Sequence, residues 1–244
     1  MARRGGDKIF KKQQQNKKEI KRKTAHKKTK AKILIACEDE VSARAYFHMI
    51  IEKLKKEKNI SLNSIVIVPH NGKTHPTGIL ENLKNYKENG LNYKDFNEKW
   101  IVIDRDANYN GGGHTAEDFN NAFTKSKRLK IKVAYANDSF ELWYLLHFEY
   151  RTTAIMRDEI IKKVINHLQK TNEYIFRDLN KDNFKTKKYN EQIFKVLEDL
   201  QPIATQNAKR LLKSYNPNNP EKDNPSTNIH ELVEMLLNNK KDNK

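Results

Sequence analysis

Two short apolar runs that end in acid constrain this chain more than any other feature. Ile33-Leu34-Ile35-Ala36-Cys37 runs into Glu38, and Trp100-Ile101-Val102-Ile103 runs into Asp104-Arg105-Asp106. Apolar residues in unbroken succession, without a polar alternation, are the pattern of a strand covered on both faces, as in a parallel sheet between helix layers. Parallel strands deliver their carboxyl ends to one edge, so acids far apart in sequence can meet there. Three carboxylates at that edge, Glu38, Asp104 and Asp106, form a site for a hard divalent cation; Mg²⁺ is the expected ion and Mn²⁺ the alternative.

From residue 32 onward, strand and helix patterns alternate. Strands are expected at 32–37, 65–69, 100–104 and 132–136, and helices at 41–58, 77–87, from Thr115 onward and at 139–148. Ala43, Phe47, Ile50, Ile51 and Leu54 make the apolar stripe of the first helix. This order predicts an α/β fold with a mainly parallel sheet flanked by helices. Segment 139–148 is apolar on every side and therefore buried, so its Glu141 and His147 both need partners. His147 reads as a hydrogen-bonded core histidine. Glu141 lies at the same sheet edge as the other acids, where it either joins the site or is a carboxylate stabilised by the helix N-terminus. Beyond Tyr150 only helical periodicity remains, at 159–169, 189–200, 204–215 and 228–237. The expected organisation is a basic arm at 1–31, an α/β domain at 32–152 and a helical C-terminal region at 153–244.

The distribution of charge matters more than its sum. Of the formal net charge of +17, residues 1–32 carry +12, from 14 Lys or Arg against Asp7 and Glu19. Such a segment cannot build a core and is expected to be a flexible arm that contacts nucleic acid. The candidate contacts are Arg3, Arg4, Lys17, Lys18, Lys21, Arg22, Lys23, Lys27 and Lys28, joined by Arg105 beside the acids and by Lys187 and Lys188 from a second basic stretch. The competing reading is a solubilising tail in a lysine-biased chain, with 38 Lys to 10 Arg. Cys37 is the only cysteine, which excludes an internal disulfide, and no run is apolar enough for a membrane span or a secretory signal. A cytoplasmic protein without a membrane partner is expected. The first strand leads into Glu38-Asp39-Glu40 in place of a glycine-rich turn, against a dinucleotide site. His70, His75 and His114 lack the spacing of a structural zinc site, and Asn110-Gly111-Gly112-Gly113 reads as a flexible loop.

Several ordered motifs together resemble the RloB family, whose members are similar to Toprim-fold proteins. They are the opening Ala2-Arg3-Arg4, the strand end Ala36-Cys37-Glu38-Asp39-Glu40 with Tyr46-Phe47 on the next helix, and Ile103-Asp104-Arg105-Asp106. Asn137-Asp138-Ser139-Phe140-Glu141-Leu142-Trp143 running on to Leu146-His147-Phe148, and the late segment 224–233, complete the set. The resemblance implies a Toprim-like fold with a glutamate after the first strand and Asp-x-Asp after a later one, which map onto Glu38, Asp104 and Asp106. It further implies a divalent-metal-dependent nuclease of a bacterial phage-defence system, acting on RNA or DNA under the control of a partner ATPase from the same locus. In that reading Asp104 and Asp106 hold the metal, Glu38 is a general base or acid or joins the metal shell, and Glu141 is a further catalytic candidate. The sequence also departs from the family pattern. Asp39 stands where the family has glycine, and Ser42-Ala43 replaces a threonine-glutamate pair. The missing acid at Ala43 counts against a second metal site and favours the alternative, a catalytically silent subunit for nucleic acid binding or signalling. Self-association into a homo-oligomer is left open.

Overall fold

The computed structural model describes residues 31–58, 64–107 and 113–238. The arm residues from Arg3 to Lys28 lie outside the described residues. Strand β1 (Ile33–Cys37) is followed by α1 (Ser42–Lys58), β2 (Ile65–Ile67) and α2 (Pro76–Lys84). A small hairpin, β3 (Lys87–Glu88) and β4 (Leu91–Asn92), precedes β5 (Glu98–Asp104), α3 (Ala116–Arg128) and β6 (Lys132–Asn137). Then come α4 (Glu141–Leu145), α5 (Arg157–Thr171), α6 (Glu173–Phe176), α7 (Lys187–Asp199), α8 (Gln201–Lys213), β7 (Ser226–Thr227) and α9 (Ile229–Asn238).

The main sheet has the order β2-β1-β5-β6-β7 and is parallel except for β7, so the fold is α/β with a mostly parallel sheet flanked by helices. Every residue of β1 is buried, as a run apolar on both faces requires. Side chains alternate across the sheet. Ile33, Ile35, Trp100 and Val102 share one core with α1 and the helices that follow residue 157, while Leu34, Ala36, Ile101 and Ile103 share the other with α2 and α3. The described residues belong to one compact unit. Among the described residues no helix is long and apolar enough to cross a membrane.

Three local expectations are corrected. The helix expected to reach residue 87 stops at Lys84, because Asn89 and Gly90 turn a hairpin: both have positive φ, +51° and +75°, which the tight primed turn of two antiparallel strands demands. The C-terminal region is not wholly helical. Ser226–Thr227 pairs antiparallel with β6, a strand too short to have periodicity and therefore invisible without its partner. The all-apolar segment 139–148 keeps only five residues of helix, Glu141–Leu145, and all five are buried.

His147 is a satisfied core histidine, as expected. It is 1% exposed; its Nδ1 donates to the Trp143 carbonyl at 2.8 Å and its Nε2 meets the Gln201 amide at 3.1 Å. Burial lowers its pKa to about 4. The folded state therefore holds this imidazole neutral where the unfolded chain, with a pKa of about 6.5, protonates it. Stability on this account is complete above pH 6.5 and falls as the pH drops toward 4. The expected cost is roughly 2 kcal/mol between pH 7 and pH 5. In urea titrations at those two pH values, His147→Gln should show a pH dependence shallower by that amount; an equal slope would refute it.

Candidate active site

The carboxyl edge of the sheet gathers the acids through backbone hydrogen bonds. The Glu38 N–H donates to the Val102 carbonyl at 2.9 Å, and the Asp104 N–H donates to Glu38 Oε2 at 3.1 Å, so the two strand ends are tied through a carboxylate. Past β5, the Arg105 N–H bonds Ala136 O at 2.8 Å and the Asp106 N–H bonds Asp138 O at 2.9 Å. Asp106 adopts a φ of +36°, a left-handed backbone that aspartate tolerates better than most residues. The chain returns at Gly113 and His114, whose N–H donates to Asp106 O at 2.8 Å. Gly113 has φ +79°, and a Cβ there would lie 2.1 Å from Asp106 O. That last glycine of the run therefore permits a close backbone approach; residues 108–112 lie outside the described residues.

Each acid meets a basic side chain. Glu38 Oε1 makes a short contact with His114 Nε2. Arg157, the first residue of α5, spans both aspartates: Nη2 lies 3.2 Å from Asp104 Oδ2 and Nη1 lies 3.2 Å from Asp106 Oδ2. Asp138 fixes this residue from behind, accepting the Arg157 N–H on Oδ2 at 3.1 Å and the Ala107 N–H on Oδ1 at 3.2 Å. Lys185, from the loop before α7, contacts Asp39 Oδ2 and lies 2.9 Å from Glu141 Oε1. Asp39 also holds the start of α1, accepting the N–H groups of Val41 and Ser42 on Oδ1 at 2.7 and 2.6 Å. Glu38, Asp39, Asp104, Asp106, His114, Arg157 and Lys185 line an open cavity of about 470 Å³, together with Thr74 and His75. A larger cavity of about 690 Å³, bordered by Gln201, Lys209 and Leu237, holds none of the sheet-edge acids.

The electrostatics follow from crowding. Burial, then the charge of Glu38, pushes the Asp104 carboxyl well above the usual carboxylate range. Burial likewise raises Glu38, although the hydrogen bond from His114 opposes it. Burial alone would lower His114, but the Glu38 carboxylate outweighs it and raises the imidazole. Glu141 behaves oppositely: its complete burial would raise it, yet Lys185 holds it low. Five carboxylates, Glu38, Asp39, Asp104, Asp106 and Glu141, thus share the fixed positive charges of Arg157 and Lys185 and the imidazole of His114. Hard oxygen donors with an excess of negative charge suit Mg²⁺. Among the described residues, however, no group of three or more acid, histidine or cysteine side chains is arranged to hold an ion. Arg157 engages the two aspartates and His114 engages the glutamate.

Glu38, Asp104 and Asp106 line the same pocket, as the strand ends predict. Glu141 is 0% exposed and stands behind that pocket, bonded to Ser42 Oγ at 2.9 Å and reaching the site through Lys185. Arg105 requires correction as a nucleic-acid contact. It is 8% exposed, and its guanidinium donates to His114 O at 2.9 Å and Glu221 O at 3.2 Å above the Phe119 ring. Alternation explains this: Arg105 lies between Asp104 and Asp106 and so points to the opposite side of the strand. Lys187 and Lys188 are exposed at the start of α7, with Lys188 against the Tyr189 ring. The sequence reading missed His114, Arg157 and Lys185 as site residues. Lys185 was legible only as part of a basic stretch, and Arg157 gave no signal because only the placement of α5 brings it to the acids.

Fold and site together define an α/β protein whose mostly parallel sheet presents an acidic, cation-buttressed pocket at its carboxyl edge. The chain belongs to the RloB-like protein family, whose model matches residues 33–236 and so takes in both acidic strand ends, α5 and the Lys185 loop. Calcium-dependent protein kinase 6 of Plasmodium berghei (strain Anka) is similar at 28% identity over 133 residues, half of this chain and 9% of the kinase. The chain covers so little of that protein that the likeness carries nothing about activity. No solved structure matches it significantly.

Proposed function

We propose that this protein is a divalent-metal-dependent nuclease with a Toprim-like core, cleaving phosphodiester bonds in RNA or DNA as part of a phage-defence system and controlled by a partner ATPase. The observation that carries the reading is the convergence of Glu38, Asp104 and Asp106 on one open pocket at the carboxyl ends of β1 and β5. Family membership supports it, since the resemblance implies these same three acids. Asp104 and Asp106, with Glu38, would hold Mg²⁺, which when bound supplies a Lewis acid for a phosphate oxygen. The chain's own groups do the rest. The Asp104 N–H orients Glu38, the His114 imidazole is placed to exchange a proton with Glu38, and Lys185 fixes Asp39 at the pocket wall. The basic arm would add sequence-independent attraction for the phosphate backbone.

One observation favours the silent binding subunit instead: the three acids are already engaged by Arg157 and His114. The deciding assay incubates the purified chain, alone and with an ATPase from its locus, with mixed RNA and DNA in Mg²⁺, Mn²⁺ or chelator. Cleavage that needs the cation and stops with chelator is the expected result. Binding without cleavage under every condition would favour the silent subunit.

A further inference from the structure

Arg157 spans the two aspartates to which the proposed function assigns a metal ion. Its two Nη atoms each reach a different carboxylate at 3.2 Å, instead of pairing bidentately with one. Charge-assisted N–H···O bonds of good geometry are shorter, about 2.7 to 2.9 Å. The guanidinium is therefore shared between the aspartates and not locked onto either. Its Nε is buried and has no hydrogen-bond partner among the described residues. An unmet buried donor is costly, and here it belongs to a side chain that lines the open pocket and is one-third exposed at 33%. The backbone, by contrast, is held by Asp138, which fixes the root of the side chain.

We propose that Arg157 is an exchangeable counter-ion: without metal it neutralises Asp104 and Asp106, and once a divalent cation takes those oxygens it turns its fork to the phosphodiester of the bound strand. The planar guanidinium matches two phosphate oxygens and leaves its Nε free to serve as one of the donors. Cation and nucleic acid then bind with positive coupling, because the first releases the group that holds the second. This inference rests on the metal-dependent reading of the site.

The test is a calorimetric titration of Mn²⁺ into the full chain and into Arg157→Met, with anisotropy of a fluorescent mixed-sequence oligonucleotide in Ca²⁺. Removing the competing cation should tighten Mn²⁺ binding by about tenfold, while oligonucleotide binding in Ca²⁺ weakens by about tenfold. Unchanged or weaker Mn²⁺ binding would overturn the proposal and make Arg157 a fixed strut. Should Arg157→Met fail to fold, Arg157→Lys carries the test, since the shorter lysine brings a single nitrogen in place of a fork that meets each aspartate with a separate one. Its Mn²⁺ affinity should then rise by about threefold, and an unchanged affinity again overturns the proposal. A parent chain that binds no Mn²⁺ would instead defeat the metal-dependent reading itself, which separates the two failures.

Discussion

On the proposed nuclease reading, Asp104→Asn is expected to cut metal-dependent cleavage by about a hundredfold to a thousandfold while leaving the fold intact. Asp104 ends β5, is 3% exposed, and lies between the Glu38 carboxylate that accepts its N–H and the Arg157 guanidinium. Asparagine has the same shape but offers no anionic oxygen to a cation, and Asp104 is the most buried of the acids that line the pocket. Removing one preorganised charged group from a catalytic centre costs about a hundredfold to a thousandfold in rate. The stability side has two opposing parts. The substitution removes a carboxylate that burial and Glu38 already disfavour in its charged form, and it also removes half of the Arg157 contacts. These offset, so the melting temperature should move by only a few degrees, within about 1 kcal/mol. Cleavage at the parental rate would remove Asp104 from the mechanism.

Lys185→Met should destabilise the protein strongly, because it strands a carboxylate that water cannot reach. Glu141 is 0% exposed, and Lys185 and Ser42 supply its two hydrogen bonds on Oε1, leaving Oε2 without a partner among the described residues. Breaking a buried ion pair by removing one member costs about 3 to 5 kcal/mol. Lys185 retains 35% of its side-chain exposure, so the screened value lies at the low end, about 3 kcal/mol. The pH dependence should change sign. In the parent, Lys185 holds Glu141 below its ordinary pKa, so its contribution is present above the unfolded value of about 4.3 and is lost as the pH falls through the folded value. Without the lysine, burial prevails and raises Glu141, so the variant loses stability as the pH rises from 4.3 toward the new folded value. Urea unfolding at pH 7 and pH 5 should therefore find the variant's deficit larger at pH 7. Adding Glu141→Gln should recover most of it, because the amide still accepts from Ser42 without a charge to bury. A deficit that neither depends on pH nor yields to the second substitution would assign Lys185 a packing role.

Much of the sheet was legible because burial on both faces leaves a sequence mark. The unbroken apolar runs at 33–37 and 100–103 fall on β1 and β5, which pair in parallel with Cys37 opposite Val102, and the acids that follow them meet at the pocket. The hairpin at Asn89–Gly90 was also written in the sequence, but two-residue strands carry no period against which to recognise it. The site was legible only in its acidic half. A carboxylate at the end of a buried strand is conspicuous, whereas a lysine or arginine on a polar helix end looks like any solvated residue until the packing shows what it faces.

The sequence by itself determined which residues could not be left in water and which acids would end the strands: periodicity and apolar runs are local properties, and each strand carries its own. Only the tertiary structure decided how those acids are balanced. Arg157 and Lys185 follow Glu38 by more than a hundred residues, and they reach the sheet edge because α5 and the loop before α7 pack over the face that α1 shares. Arg105, adjacent to the acids in sequence, is instead turned away by the alternation of the chain around Asp104 and Asp106. Charge pairing depends on distance in space, and at this edge the neighbours in space are supplied by packing and not by the order of the chain.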